Sequence, residues 1–303
     1  MKTQWISTLP ILLLALALPA TAQDVEMDVD IAGDNLKLVA LEALMAAPDE
    51  KALPIVIKLL DGDGNEDLKE AALFILSQID APEAHAKLLE IAGDAADPLR
   101  PDAIRMIGIG GDAESITKLA ALYAGGDAAT RDAVMEAYLI AGDVDAVYQI
   151  ALSARDNEEF ESAVEMLAAM GARDELRQLR QSTGNSESLI EAYAVAGDAE
   201  SLLALARDES DVKTQAKAIE ALGIVGGDEV DGALLEIYRN TDSDYIRNAA
   251  LGGMLISGND ENVLQLYRQS NDLAEKRELL RALSAMGSDR LFEVIDETLT
   301  GTQ

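Results

Sequence analysis

The chain has 303 residues, of which 49% are hydrophobic, 4% aromatic and 26% charged, and 56 acidic against 24 basic residues give a formal charge of -32. The apolar fraction is too high for a disordered chain, because disorder combines few apolar residues with a large net charge. The absence of cysteine excludes disulfide frameworks, cysteine nucleophiles and thiolate metal sites, and there is only one histidine for imidazole chemistry.

The first predicted element is an amino-terminal targeting segment. Residues 1–22 combine a positive Lys2 with an apolar run and place Ala20 and Ala22 at the -3 and -1 positions of a cleavage site. The apolar run is broken by prolines and is shorter than the roughly 20 residues that a membrane-spanning helix needs. We therefore expect 1–22 to be a cleaved signal peptide, with the cut before Gln23 and export to the periplasm.

An acidic leader at 23–33 is expected to follow. The stretch QDVEMDVDI alternates acidic and apolar residues. This alternation fits an extended segment that caps the first repeat or pairs with a partner strand, and it also fits a loosely ordered terminus. We expect the leader to be extended and the folded domain to occupy 34–303.

From residue 34 onward a short unit recurs nine times. Its turn position returns about every 30 residues, a period typical of solenoid repeats. The turn positions are Ala47, Ala81, Gly111, Gly142, Gly171, Gly197, Gly227, Gly258 and Gly287. Mostly apolar residues stand eight and two positions before the turn, and five and eight positions after it. This spacing fits a helix face and does not fit strand alternation.

Each unit is therefore predicted to be a helix, a tight turn and a second helix. Glycine at the turn supplies the left-handed conformation that ends the first helix. The next residue is expected to cap the second helix through its carboxylate in four units, at Asp112, Asp143, Asp198 and Asp228. Pro82 occupies a first-turn position, where its missing N–H costs nothing.

Several units resemble HEAT repeats of the short kind found in phycobilisome lyases and many bacterial proteins. The best match, residues 97–126, carries Asp97-Pro98, Arg100, Arg105 and a Gly-Gly-Asp turn. The resemblance implies an all-α solenoid of about nine HEAT-like repeats, because no helix pair can bury its apolar face without its neighbours. It also implies a ladder of Asp and Arg residues between successive units.

The ladder is only partly present in the sequence. Eleven residues before the turn stand the basic residues Arg100, Arg131, Arg247 and Lys276. In other units the same position holds Leu36, Phe160, Ser186 and Ala216.

Two features invite a chemical interpretation. His85 lies at a position that is polar in most units, so it is interpreted as a surface histidine and no metal site is expected from it. The segment at 61–67 places Asp61, Asp63, Asn65 and Asp67 at alternate positions, as at the start of a calcium loop. However, the glycine and the final glutamate that an EF-hand requires are absent. A calcium-responsive structural protein remains an alternative, and no cofactor is expected.

The acidity is spread along the whole chain and is not confined to a tail. It fits solubility in the exported compartment or a salty habitat, and it also fits attraction of a partner with a cationic surface. Nucleic acid and anionic lipid are disfavoured as partners, because binding them requires clusters of Lys and Arg.

These observations predict a non-catalytic scaffold in the periplasm that binds another protein. The second helices of such pairs normally line the concave face, and Tyr and Arg are enriched at binding hot spots. The residues expected to contact the partner are Tyr148, Gln149, Arg177, Arg180, Gln265, Tyr267 and Arg268. A lyase-like or chaperone-like assembly factor for a cofactor-bearing protein is the other alternative.

Overall fold

The computed structural model describes residues 36–62, 65–208 and 210–300. The predicted signal peptide (1–22) and acidic leader (23–33) lie outside these ranges. Within them the chain forms nine consecutive helix pairs, and every predicted turn lies between the two helices of a pair. The pairs are α1 (36–44) and α2 (Asp49–Leu60), α3 (Glu66–Ser77) and α4 (Pro82–Gly93), α5 (Arg100–Gly110) and α6 (Ala113–Gly125), α7 (Ala128–Ala141) and α8 (Val144–Leu152), α9 (Asn157–Ala169) and α10 (Arg173–Thr183), α11 (Glu187–Val195) and α12 (Ala199–Ala206), α13 (Val212–Val225) and α14 (Asp228–Asn240), α15 (Asp244–Ser257) and α16 (Asp260–Gln269), and α17 (Leu273–Ala285) and α18 (Arg290–Thr300). The predicted all-α solenoid of helix-turn-helix repeats is confirmed.

The chain divides into two compact units, 1–87 and 88–303, with the boundary inside α4. In the first unit, α2 packs against α3. In the second unit, first helices contact the first helices of neighbouring pairs, as α5 does with α7 and α13 with α15. Second helices likewise contact second helices, as α12 does with α14. This layering gives the second unit a thin core, which small side chains allow to be dense.

The turns confirm most of the predicted local chemistry. Gly142 and Gly258 adopt the left-handed conformation, and the backbone N–H of each bonds to carbonyls of the helix it ends. Gly111 is different, because its φ is -70°. Glycine is needed there for space, since a Cβ would lie 2.4 Å from the carbonyl oxygen of Ile107.

The aspartate caps are confirmed in three of the four predicted places. The carboxylates of Asp112, Asp143 and Asp198 accept from the backbone N–H three residues later. Asp228 does not cap its helix, because two glycines with positive φ precede it and α14 begins at Asp228 itself. Part of the acidity is therefore structural. The capping aspartates are Asp112, Asp127, Asp143, Asp156, Asp198, Asp211 and Asp272.

The extra glycine also shifts the register of the seventh pair by one residue. Counted from Gly226 and not from Gly227, the inward residue of the second helix becomes Leu234, which is fully buried, in place of the half-buried Leu235. Counted the same way, the position eleven residues before the turn becomes Gln215, so the prediction of Ala216 there was wrong.

The corrected register shows what the predicted ladder does. Arg100, Gln215 and Arg247, which share this position, each donate a side-chain N–H to a backbone carbonyl at the end of the preceding second helix. The accepting oxygens belong to Ala92, Ala206 and Thr241, at 3.0, 3.0 and 2.8 Å. Each contact satisfies a carbonyl that the helix end leaves free and joins one repeat to the next.

Gly142→Ala is expected to lower the free energy of unfolding by about 1 kcal/mol, because alanine is strained in the left-handed conformation. Urea denaturation measures this change. Gly93→Ala is the matched control, since Gly93 ends α4, has no positive φ and has no atom within 4 Å of an added Cβ. Equal effects of the two substitutions would contradict the assignment of Gly142 as a conformational requirement.

Candidate partner-binding surfaces

The seven residues predicted to contact a partner fall on three second helices, α8, α10 and α16. On α8, Gln149 is exposed and Tyr148 is half-buried, and both flank the buried Val147 and Ile150. Neither Tyr148 nor Gln149 makes a side-chain hydrogen bond or ion pair in the described part of the chain. Their role in binding stays a prediction.

On α10, the half-buried Arg177 is held in place by its contacts within the protein. Its guanidinium bonds both carboxylate oxygens of Asp198, with Nε–Oδ2 at 2.8 Å and Nη2–Oδ1 at 2.6 Å. Nη2 also bonds Glu200 at 3.0 Å, and the hydroxyl of Ser201 donates to Asp198 at 2.7 Å. Asp198 is 1% exposed. These contacts use most of the donors of Arg177, so its primary role is to join α10 to α12.

The electrostatics of this cluster favour the charged carboxylate. Burial raises the pKa of Asp198, but the hydrogen bonds from Arg177 and Ser201 together outweigh burial, so the pKa lies below its ordinary value. The same pairing raises the pKa of Arg177. The pair therefore stays ionised while it stabilises the start of α12.

Arg180 lies one turn further along α10 and faces a surface cleft of about 550 Å³. Its Nε donates to the amide oxygen of Asn185 at 2.7 Å, which is a neutral partner. Among the described residues no carboxylate lies within ion-pair distance of Arg180, whose side chain is half-buried. Of the two predicted arginines, Arg180 is thus the one that keeps charge available to a partner.

On α16, Gln265 and Arg268 are exposed as expected, but the expectation that Tyr267 is exposed was wrong. Tyr267 is 6% exposed. The reason is that α16 contacts α15, α17 and α18, so two of its sides are covered. Lys276 lies over the Tyr267 ring, 5.0 Å from its centroid, in a cation–π contact.

A second surface, which the sequence had assigned to the core, lies on the first helices. Side chains two residues before the turn were expected to point inward with those eight residues before it. The position eight residues before the turn is buried in every pair from the second, where it is Leu73, to the ninth, where it is Leu279. The position two residues before the turn is exposed in most pairs. Five such side chains are between 42% and 65% exposed, and we call them the apolar row: Ile109, Ile140, Val195, Ile224 and Ile256.

An acidic row runs beside the apolar row, one helical turn earlier on four successive first helices. All four of its side chains are exposed: Glu136, Glu165, Glu191 and Glu220. Each stands four residues before an exposed apolar residue, which for Glu165 is Ala169. Glu136 pairs with Arg105 of α5. In the part of the chain that the structure describes, Glu165, Glu191 and Glu220 form no salt bridge.

Close backbone contacts position these rows. A Cβ at Gly108 would lie 2.5 Å from the carbonyl oxygen of Ala137, so α5 and α7 touch through their backbones. At Gly223 the corresponding distance to the carbonyl oxygen of Gly253 is 2.3 Å, so α13 and α15 do the same. Because parallel neighbouring helices are fixed near their carboxyl ends, their exposed terminal residues lie side by side.

Two tyrosine–glutamate hydrogen bonds each join a second helix to the first helix of the pair two repeats later. The hydroxyl of Tyr123 on α6 donates to Glu159 on α9 at 2.6 Å, and Tyr238 on α14 donates to Glu275 on α17 at 3.1 Å. Arg155 also pairs with Glu159, at 2.6 Å. Chiefly because of the Arg155 hydrogen bond, the pKa of Glu159 falls from 4.5 to about 2, although burial opposes the shift.

Glu159→Gln is expected to lower the melting temperature at pH 7 and to change it much less at about pH 2. The lowered pKa means that Glu159 stabilises the fold fully above about pH 4.5 and loses this effect as pH falls toward its folded value. Thermal unfolding followed by circular dichroism measures both. The control Glu158→Gln removes the carboxylate of a neighbouring residue that is exposed and forms no salt bridge among the described residues. An equal deficit for Glu159→Gln at both pH values would be inconsistent with this ion pair.

The two predicted chemical features have structural explanations. His85 is 7% exposed, so its assignment to the surface was wrong. Its helix starts at Pro82, directly after the turn residue, which brings His85 onto the inward side beside Ala84. In the 61–67 segment, Asp61 pairs with Lys87 at 2.6 Å and Asn65 caps α3. Asp63 lies outside the described residues, among which no group of three potential metal ligands occurs.

The comparison with protein families agrees with this architecture. A family model described as HEAT repeats matches residues 34–108 and 53–139. Among solved structures, the chain is similar to one in the complex of CpcE and CpcF of phycocyanin lyase from Nostoc sp. PCC7120. That similarity has 18% sequence identity and a TM-score of 0.34, and it covers 76% of this chain and 93% of the other. No curated protein matches the sequence. In the described ranges, no helix is both long and apolar enough to cross a membrane.

Proposed function

Since residues 34–139 are HEAT repeats and the same helix pairs continue to residue 300, we propose that this protein is a scaffold that binds another protein. The observation that carries the proposal is the apolar row. Single exposed apolar side chains are ordinary on protein surfaces. Five of them lie at one position of the first helices between the third and eighth pairs, and the exposed Ala169 takes this position in the fifth pair. Apolar patches of this kind mark interaction sites.

The proposed role is non-catalytic. Its support is that the strongly bonded ionisable groups serve structural purposes. Asp198 caps a helix and holds Arg177, and Glu159 joins α9 to Tyr123. The cleft around Arg180 is open to solvent, whereas an active site raises or lowers a pKa by enclosing a group.

The proposed location is the periplasm. Its support is the sequence of residues 1–22, with a basic start, an apolar run and the small residues that precede a cleavage site. Mass spectrometry of the protein from the exported fraction of a bacterial host tests this. The expected mature protein begins at Gln23, whereas an unprocessed chain found only in the cytoplasm would contradict the proposed export.

Photo-crosslinking in the native host tests the scaffold role. A photoreactive residue is placed at Ile140 or Ile224 on the first helices, and at Gln149 or Gln265 on the second helices. The proposal expects one stoichiometric protein partner from at least one surface, and binding of the purified partner to the purified protein. No crosslinked partner from any of the four positions would contradict a scaffold, as would turnover of a small molecule by the purified protein.

A further inference from the structure

We propose that the occupant of the apolar and acidic rows is a basic amphipathic helix of the partner protein, an inference that rests on the proposed scaffold function. The helix would lie across the first helices of the fourth to eighth pairs. Its apolar side chains would cover the apolar row from Ile140 to Ile256, and its Lys or Arg side chains would pair with the acidic row.

The offset between the two rows matches one turn of helix. Glu191 and Val195 are four residues apart on α11, and Glu220 and Ile224 are four residues apart on α13. Four residues advance an α-helix by about 6 Å. The surface therefore presents two parallel lines, one acidic and one apolar, about 6 Å apart. A helix with apolar and basic positions on adjacent sides matches both lines.

The period along the rows also suits a helix. Packed helices lie about 8–10 Å apart, so each row offers one side chain in each such step. Residues seven apart in an α-helix lie on the same face and about 10.5 Å apart. A partner helix with a basic residue at every seventh position thus meets one glutamate on each successive repeat, and its apolar residues follow the same period.

The charge of the surface indicates that the partner helix is positively charged. Glu165, Glu191 and Glu220 are exposed and form no salt bridge among the described residues, and the whole chain carries -32. Cationic side chains would remove the mutual repulsion of the row, and the attraction would speed encounter. A second copy of this chain is disfavoured as occupant, because it carries the same charge of -32 and brings no excess of cationic side chains to the acidic row.

The probe is a fluorescent synthetic helix of about 28 residues (four heptads), with leucine on one face and lysine at every seventh position. Fluorescence anisotropy with the purified protein at low salt is expected to show binding that weakens as salt rises. A peptide with glutamate in place of lysine is expected not to bind. Failure of the lysine peptide to bind would overturn the inference.

Charge reversal localises the contact. E165K/E191K/E220K is expected to weaken binding of the lysine peptide at least tenfold and to gain binding of the glutamate peptide. D145K/E229K/E236K is the matched control, because it changes the net charge equally at exposed positions of second helices. Equal losses in the two triple variants would overturn the inference. Circular dichroism establishes that both variants are folded.

The apolar row is tested separately with V195S/I224S. This variant is expected to weaken binding of the lysine peptide at least fivefold and to remove the part of the binding that persists at high salt. An unchanged affinity would overturn the inference.

The photo-crosslinking experiment separates the two proposals. A partner captured only from Gln149 or Gln265 overturns the proposal that a basic helix binds the first helices, and it leaves the proposed scaffold function unaffected. No partner from any position overturns the scaffold function.

Discussion

Gly223→Ala is expected to lower the free energy of unfolding by about 3 kcal/mol, one of the largest effects of a single substitution in this protein. An added Cβ would lie 2.3 Å from the carbonyl oxygen of Gly253 and within 2.9 Å of two further backbone atoms of that residue. Backbone atoms cannot rotate away as side chains do. The helices α13 and α15 would have to separate, and the contacts between two repeats would be lost.

The matched control is Gly232→Ala in the middle of α14. Gly232 is exposed and no atom lies within 4 Å of an added Cβ, so alanine is expected to raise the free energy of unfolding by about 0.5–1 kcal/mol. Urea denaturation of the two variants and the unmodified protein measures both changes. If Gly223→Ala were as stable as Gly232→Ala, the close approach of α13 and α15 would be wrong.

Asp198→Ala is the second substitution with a large expected effect, a loss of about 3 kcal/mol. The change removes the cap of α12 and the hydrogen bond from Ser201, and it leaves Arg177 without its buried partner. Asp198→Asn is expected to lose less, because an amide oxygen can still cap the helix. Thermal and urea denaturation establish the order of the variants.

Two observations check the cause of that loss. Glu200→Ala removes another partner of Arg177, but Glu200 is 84% exposed, and exposed ion pairs contribute little. A large loss of stability for Glu200→Ala and a small one for Asp198→Ala would contradict the assignment of Asp198 as the main partner of Arg177.

Because the pKa of Asp198 is lowered in the folded protein, its stabilising effect is present above the ordinary pKa of aspartate. The deficit of Asp198→Ala is therefore expected to shrink as pH falls below that value.

The repeat architecture could be predicted from the sequence because it rests on local signals. The turn positions and the buried position eight residues before the turn recur in nearly every unit, and the aspartate after the turn recurs in four units, so an error in one unit does not change the fold. The family match at residues 34–139 agrees with it. Pro82 also begins its helix as predicted.

The binding surfaces could not be predicted because periodicity alone does not give the direction of a side chain. Six residues separate the two apolar positions of a first helix, and they rotate it by about 600°, or about 240° beyond one turn. Residues such as Ala103 and Ile109 therefore point to different sides, and only one of them is buried. Tyr267 was wrongly expected to be exposed, because the sequence does not show that α15, α17 and α18 all contact α16.

One-residue shifts at the turns account for other errors. From the sequence, Gly226 and Gly227 are equally good turn residues. Because Gly227 was chosen, Ala216 and not Gln215 was assigned to the position eleven residues before the turn. His85 was judged by comparison with residues that are not equivalent, because its helix starts directly after the turn. Such shifts change burial without changing the helical pattern, so they become visible only in three dimensions.

Isoleucine δ1-methyl NMR tests most directly whether the first helices are the binding surface. The apolar row contains Ile140 and Ile224, which report on that surface when the lysine peptide or the captured partner is added. We expect the methyl signals of Ile140 and Ile224 to shift, while the buried Ile219 keeps its position. Shifts at Ile150 and Ile237 on the second helices, with those of Ile140 and Ile224 unchanged, would contradict binding at the apolar and acidic rows.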